Sequence, residues 1–176
     1  DLTVTGVQTC ALPIFLLLGK RINQRGYPCV YSACDRRMTN FSITSEPIVS
    51  AELIIRLEDP DCGAVATFLG IVRQHNKDRE VTQLHYQSYK TLAVKEGNKI
   101  LGEAKEQFNI VNALCVHRVG DLNIGETAVW VGVNASHRDA AFNACRYIID
   151  EIKTRVPIWK KEIYVDGDSG WLEGAG

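Results

Sequence analysis

Ser136-His-Arg-Asp-Ala-Ala-Phe-Asn-Ala-Cys-Arg-Tyr-Ile-Ile-Asp-Glu-Ile-Lys153-Thr-Arg-Val-Pro157-Ile-Trp-Lys160-Lys-Glu162-Ile-Tyr-Val165 reads as one amphipathic helix that runs directly into one strand. Ala141, Phe142, Cys145, Ile148, Ile149 and Ile152 recur at helical spacing and predict a single buried stripe. At about 100° per residue, Lys153 falls on the edge of that stripe in the last turn, where it borders a pocket instead of pointing fully into water. Val156-Pro157 ends the helix, because the residue before a proline is driven to extended geometry. Ile158–Val165 then continues as a strand. Its alternation sends Ile158, Lys160 and Glu162 to one face and Trp159, Lys161 and Ile163 to the other, so Lys160 and Lys161 are not equivalent.

The front of the helix carries a second signal. Ser136-His137-Arg138-Asp139 fits a capping box, with Ser136 as cap and free backbone N–H groups beside His137 and Arg138. A helix N-terminus with an adjacent arginine is a ready anion site. At the other end, Lys153 to Glu162 places several cations beside apolar surface without matching carboxylates, which also calls for an anion. A third cation comes from the β-rich run Ala64–Val72, which delivers Arg73 and His75 at its end, with Gly70 as a bulge or close-approach point. Each feature has a plainer reading: Lys153 as a partner of the helix dipole, Lys160 as a solvated strand lysine, Arg73 as a surface residue.

Outward from there, the pattern predicts helix Ser50–Asp59, strand Gly63–Val72, a charged mobile loop Gln74–Glu80 and strand Val81–Tyr89. Helix Thr91–Phe108, strands Ile110–Val119 and Thr127–Asn134, helix His137–Lys153 and strand Ile158–Val165 follow. Gly120-Asp-Leu-Asn-Ile-Gly125 reads as the turn between two strands. Strands and helices mixed without strict βαβ alternation indicate an α+β single domain with a mixed or antiparallel sheet and packed helices.

Together these segments resemble the catalytic (large) subunit of molybdopterin synthase. The resemblance is carried by Gly63-Ala64 through Phe68-x-Gly70-x-Val72-Arg73-x-His75-Asn76 and Leu84-x-Tyr86-x-x-Tyr89. It continues in His117-Arg118-x-Gly120-x-Leu122-x-x-Gly125-Glu126, His137-Arg138-x-x-Ala141-Phe142, Lys153-Thr-Arg-x-Pro157-x-Trp159-Lys160-x-Glu162 and Gly170-Trp171. It implies a hammerhead-like α/β fold with a small extra β subdomain. It also implies an enzyme of molybdenum cofactor biosynthesis that takes sulfur from the C-terminal Gly-Gly thiocarboxylate of a small ubiquitin-like partner subunit. The acceptor is cyclic pyranopterin monophosphate, and the product is the dithiolene molybdopterin; no cofactor is implied.

Carried over residue by residue, the resemblance implies that Lys153 and Lys160 are catalytic. Arg73, His137, Arg138, Phe68 and His75 are implied to bind substrate, with Phe68 lining the pocket or the path of the partner's tail. Partial burial near other cations lowers a lysine's pKa, which suits Lys153 to proton transfer. Family members form a homodimer core within a heterotetramer and build each site across the subunit boundary. His137 and Arg138 are therefore expected to serve the lysines of a neighbouring protomer. Two classes compete: the sulfur-transferring enzyme, and a non-catalytic scaffold that binds a ubiquitin-like tail. The presence of Arg73, His137, Arg138, Lys153 and Lys160 together favours the enzyme. A phosphate-binding hydrolase would want a nucleophile or metal-binding carboxylates, and the pattern shows neither.

The chain departs from the family pattern at Gln87 and at Leu92. It ends at Gly176, soon after Trp171, and within it a basic residue that some members contribute from a longer tail has no counterpart. Thr3–Ile14 resembles the conceptual translation of a sequencing-adapter oligonucleotide, and Met38 is the only methionine of the 176 residues. The expectation is that 1–37 is a disordered non-native extension and that 38–176 is the functional domain. The apolar run Ala11–Gly19 is too short to span a bilayer, which needs about 20 residues, and lacks the preceding basic segment of a secretory signal.

Of 20 Lys and Arg and 21 Asp and Glu in the chain, five and two fall in residues 1–37, which leaves 15 against 19 and a formal charge of −4. No broad basic face can be assembled from these, so nucleic acid is not an expected partner, and neither is a membrane. Of six cysteines, Cys62, Cys115 and Cys145 lie in this region at no metal-binding spacing. They read as buried thiols of a cytoplasmic protein with no metal. His85 and His117 sit within strands and read as structural, and Trp130 and Trp159 as core or dimer-interface residues.

Overall fold

The computed structural model describes residues 40–76 and 79–173. The expectation about residues 1–37 lies outside the described residues. In chain order the elements are β1 (Asn40–Thr44), α1 (Ser50–Arg56), β2 (Ala64–Ile71), β3 (His75–Asn76), β4 (Arg79–Ser88) and α2 (Lys90–Phe108). β5 (Asn112–Arg118), β6 (Gly120–Asn123), β7 (Thr127–Ala135), α3 (Arg138–Arg155), β8 (Ile158–Tyr164) and β9 (Gly167–Glu173) complete them. The strands form two sheets. One has the order β1-β5-β7-β2 with only β1–β5 parallel, and the other runs β3-β4-β8-β9 with β6 also pairing β4. The fold is α+β, as the mixed pattern of elements predicts.

Helices α2 and α3 lie side by side against the first sheet. Helix α3 buries Ala141, Ala144, Cys145, Ile148, Ile149 and Ile152. Phe142, predicted in this stripe, is 63% exposed, because it lies about 90° from the stripe's centre, near the same edge as Lys153. Close approach of α2 to β1 depends on a missing side chain. A Cβ on Gly97 would stand 2.2 Å from the Phe41 ring, which is itself buried. On the far side of the first sheet, Trp130 packs in a smaller cluster with Leu57 and Leu114. A Cβ at neighbouring Gly132 would meet its ring at 2.1 Å.

The charges on α3 and β8 correct one expectation. Arg155 donates to Glu96, Glu103 and Glu151 at 2.5–2.9 Å, Lys160 pairs with Glu162 at 3.2 Å and Lys161 with Asp168 at 2.7 Å. Two of the three carboxylates on Arg155, Glu96 and Glu103, come from α2, out of reach of a local reading. The capping box is also absent: His137 is the N-cap of α3, without a side-chain cap bond. Residues 120–125 are more than a turn. Gly120–Asn123 crosses to the second sheet and pairs with β4 before the chain turns back into β7. Within the predicted loop Gln74–Glu80, β3 and β4 form a short hairpin, His75 opposite Glu80 and Asn76 opposite Arg79. The bulge expected at Gly70 is present, as a register shift between Gly70 and Ile71.

His117 is fully buried, as a structural histidine would be. Its Nδ1–H donates to the Arg118 carbonyl at 2.8 Å, its ring packs edge-on to Tyr86, and Nε2 has no partner among the described residues. Desolvation pulls its pKa down to about 4, against a weaker upward pull from the Arg118 hydrogen bond. No helix among the described residues is long and apolar enough to cross a membrane.

Two predictions follow from this packing. Gly97→Ala gains helix propensity of about 1 kcal/mol but overpacks the Phe41 ring, at about 1–3 kcal/mol. Gly102 in the same helix has open space around a Cβ. Urea denaturation is expected to show a net loss for Gly97→Ala and a gain for Gly102→Ala. For His117, the unfolded chain takes up a proton below pH 6.5 that the folded chain accepts only near pH 4. Stability therefore falls as pH drops through that window, by about 3 kcal/mol in all. His117→Phe, followed by urea denaturation between pH 7 and pH 4, should show that part of the slope removed.

Candidate active site

Where the two sheets meet, residues from β2, β4, β7, β8 and the last turn of α3 line a cavity of about 230 Å³. Phe68, Leu84, Tyr86 and Val129 supply apolar wall; Arg73, Asn76, Lys153, Lys160 and Glu162 bring polar groups to it. The local sequence explains these positions. The period of two along β8 turns Lys160 and Glu162 inward, while Lys161 pairs with Asp168 and does not line the cavity. At Gly70 a Cβ would lie 2.6 Å from Val129 Cγ1, so glycine lets β2 lie close to β7. The bulge that follows turns the chain toward Arg73. Lys153, at the stripe edge of α3, is half-buried and reaches the cavity from the helix side.

Glu162 organises the polar wall. It is 3% exposed, and its two oxygens are divided between partners. Oε1 faces Lys160 Nζ at 3.2 Å, and Oε2 accepts from Asn76 Nδ2 at 2.7 Å and from the Tyr164 hydroxyl. Asn76 Oδ1 in turn accepts from Arg73 Nη2 at 2.8 Å. Burial pushes the Glu162 carboxyl up, but the hydrogen bonds from Tyr164, Asn76 and Lys160 outweigh it and hold the pKa below the usual range. The group is thus an anion in neutral solution. Tyr86, buried beside it, is pushed up to about 12 by desolvation and by the Glu162 charge, so its hydroxyl keeps its proton. Among the described residues Lys153 has no ion-pair partner.

Of the residues singled out in the sequence, the cavity brings together Phe68, Arg73, Lys153 and Lys160. Phe68 also borders a groove of about 480 Å³ lined by Phe142, Cys145, Arg146, Ile149 and Asp150. His75 is exposed and does not line the cavity. His137 and Arg138, both exposed, sit at the opposite end of α3. Fifteen residues of helix separate Arg138 from Lys153, about 22 Å, so one chain does not bring them together. Sequence reasoning missed Asn76, Tyr86 and Glu162 as site residues. The alternation of β8 had put Glu162 on the face of Lys160, which was the signal available. Among the described residues no group of three His, Cys, Asp or Glu side chains is placed to hold a metal ion.

The sequence and the fold are similar to those of known proteins. The chain is 43% identical over 133 residues to the molybdopterin synthase catalytic subunit of Thermoplasma volcanium, a match covering 76% of this chain and 97% of that one. The crystal structure of molybdopterin synthase from Staphylococcus aureus matches with a TM-score of 0.72 at 37% identity, covering 77% of this chain and 98% of that chain. A protein–protein complex of subunits 1 and 2 of molybdopterin-converting factor from Helicobacter pylori shares the fold, with a TM-score of 0.61 at 23% identity, covering 73% and 87%. The family model described as MoaE protein matches residues 43–155. The chain belongs to the MoaE family, that of the molybdopterin synthase catalytic subunits.

Proposed function

We propose that this enzyme moves sulfur from the C-terminal thiocarboxylate of a small ubiquitin-like subunit to cyclic pyranopterin monophosphate, forming the molybdopterin dithiolene. The observation that carries the reading is the single cavity in which Arg73, Lys153 and Lys160 converge beside Phe68. A cyclic phosphate and a thiocarboxylate are both anions, and a cavity with three cations and one committed carboxylate suits them. In each transfer the thiocarboxylate sulfur forms a bond to a pterin side-chain carbon. Water cleaves the acyl carbon–sulfur bond and leaves the carrier as a carboxylate. At one carbon the sulfur displaces the ring phosphate oxygen, which opens the cyclic phosphate to a terminal monophosphate. At the adjacent carbonyl carbon it replaces the oxygen, which leaves as water, and loss of a proton between the two carbons gives the dithiolene.

Arg73 and Lys160 are assigned to the phosphate. Lys153, without a carboxylate partner among the described residues, is assigned to the thiocarboxylate and to proton movement at the reacting carbon. The groove beside Phe68 gives the carrier's thin tail a route to the cavity. The pterin is substrate, and this reading calls for no cofactor. The partner reading is supported by the two-subunit complex of the related fold in Helicobacter pylori. A cytoplasmic working place is consistent with Cys62, Cys115 and Cys145 all being free thiols. His137 and Arg138 complete the site of a second copy of the chain, which accounts for their distance from Lys153.

Dithiolene formation from cyclic pyranopterin monophosphate and thiocarboxylated small subunit tests the proposal. Lys153→Ala is expected to lower kcat about 10²–10⁴-fold, and Arg73→Ala to raise KM about 10-fold or more by removing a charged phosphate contact. Wild-type protein that binds the carrier yet makes no product would instead mark a scaffold. Site sharing has its own test. Lys153→Ala chains and His137→Ala/Arg138→Ala chains, each inactive, should regain about a quarter of wild-type activity when refolded together. Half the dimers are then mixed, and each carries one intact site of two. No recovery would place His137 and Arg138 outside the site.

A further inference from the structure

We infer that Asn76 is a positioning residue that couples Arg73 to the Lys160–Glu162 pair, so that cations from two sides of the cavity act as one anion-binding group. The identity of the natural anion, a phosphate ester, rests on the sulfur-transfer reading; the coupling itself rests on geometry. Asn76 Oδ1 accepts from Arg73 Nη2 at 2.8 Å while its Nδ2 donates to Glu162 Oε2 at 2.7 Å. A side-chain amide offers an acceptor to a guanidinium and a donor to a carboxylate at neutral pH, which an ionised carboxylate of the same shape cannot do. An aliphatic residue would leave Arg73 loose and buried Glu162 short of a donor. A carboxylate would keep the Arg73 contact but set a like charge against Glu162.

The rest of the hairpin holds Asn76 in place. Arg79, opposite Asn76 in the β3–β4 pairing, lies over the Tyr164 ring at 3.7 Å and pairs with Asp166 at 2.7 Å. Tyr164 donates its hydroxyl to the same Glu162 oxygen that Asn76 reaches. The hairpin is thus tied to β8 and the turn after it at two points, with Arg73 immediately before it. Arg73 is exposed on a segment between β2 and β3, and its hydrogen bond to Asn76 is what fixes it relative to Lys160.

Asn76→Asp is the diagnostic change, since it preserves shape and the Arg73 contact while exchanging the donor to Glu162 for a second carboxylate. The probe is inorganic sulfate, which keeps its double charge across the pH range, titrated calorimetrically into the full chain. Wild type is expected to bind it, and Asn76→Asp about 10-fold more weakly near pH 8, the loss of one charge-assisted contact. As pH falls toward about 5.5, the two facing carboxyls come to share a proton, which restores a donor between them. Affinity relative to wild type should then recover. Asn76→Asp combined with Glu162→Gln removes the carboxyl pair and should abolish that recovery.

A hairpin staple with no part in anion binding would change unfolding by urea without changing sulfate affinity or its pH dependence. Absence of sulfate binding by wild type, or Asn76→Asp affinity equal to wild type at both pH values, overturns the inference. Turnover separates it from the broader reading. Asn76-dependent sulfate binding without dithiolene formation by wild type sinks the sulfur-transfer proposal and leaves the coupling standing. Normal wild-type turnover with Asn76→Asp unchanged in KM does the reverse.

Discussion

A buried carboxylate with donors on both its oxygens organises this molecule around one point. Glu162 is sunk almost completely between the sheets, and leaving it unpaired there would be far costlier than exposing it. Its partners come from two places in the chain: Lys160 and Tyr164 from its own strand, and Asn76 from a hairpin 86 residues earlier. Satisfying that charge therefore requires the β3–β4 hairpin to dock on β8. Docking closes the cavity and brings Arg73 to its rim. The polar wall of the site and the join between distant segments are the same set of hydrogen bonds.

Apolar packing supplies the frame on which that set is hung. The helices lie close to the first sheet because Gly97 yields space to Phe41, and a small cluster around Trp130 fills the opposite face where Gly132 makes room. Helix α3 takes its axis from its own buried stripe, which packs on β2, β7 and α2, and the axis fixes which side of the helix Lys153 leaves from. A lysine at the boundary of a buried stripe has its alkyl stem held by apolar neighbours while its amine remains available. Position on the stripe, more than any specific bond, directs it to the cavity.

Much of this was legible in the sequence for local reasons. The helical period of α3, the proline after Val156 and the alternation of β8 decide the orientations of Lys153 and Lys160 without outside information. The glycine bulge before Arg73 is equally local. What the sequence hid is what depends on pairing across distance. The short strands β1 and β6 have too few residues for a period to declare itself, β9 (GDSGWLE) has no apolar alternation, and the hairpin around Asn76 looked like a polar loop. The stretch from Lys153 to Glu162 looked poor in compensating charge because the carboxylates that balance Arg155 come largely from α2. Helix capping misled for a related reason. Ser136 had the right chemistry, but β7 continues to Ala135 and helical geometry begins only at Arg138.

The clasp on Arg155 bears on how accurately the site is held. Helix ends ordinarily fray, and Lys153 lies in the last turn of α3. Two residues further on, Arg155 is gripped by Glu96 and Glu103 of α2 and by Glu151 of its own helix, with Tyr147 hydrogen-bonded to Glu103. The last turn is thereby moored to a neighbouring helix instead of ending in solvent. These ion pairs are partly exposed, so dissolved salt weakens them more than it weakens the buried core. The alignment of the Lys153 amine is accordingly sensitive to ionic strength at concentrations the fold as a whole tolerates.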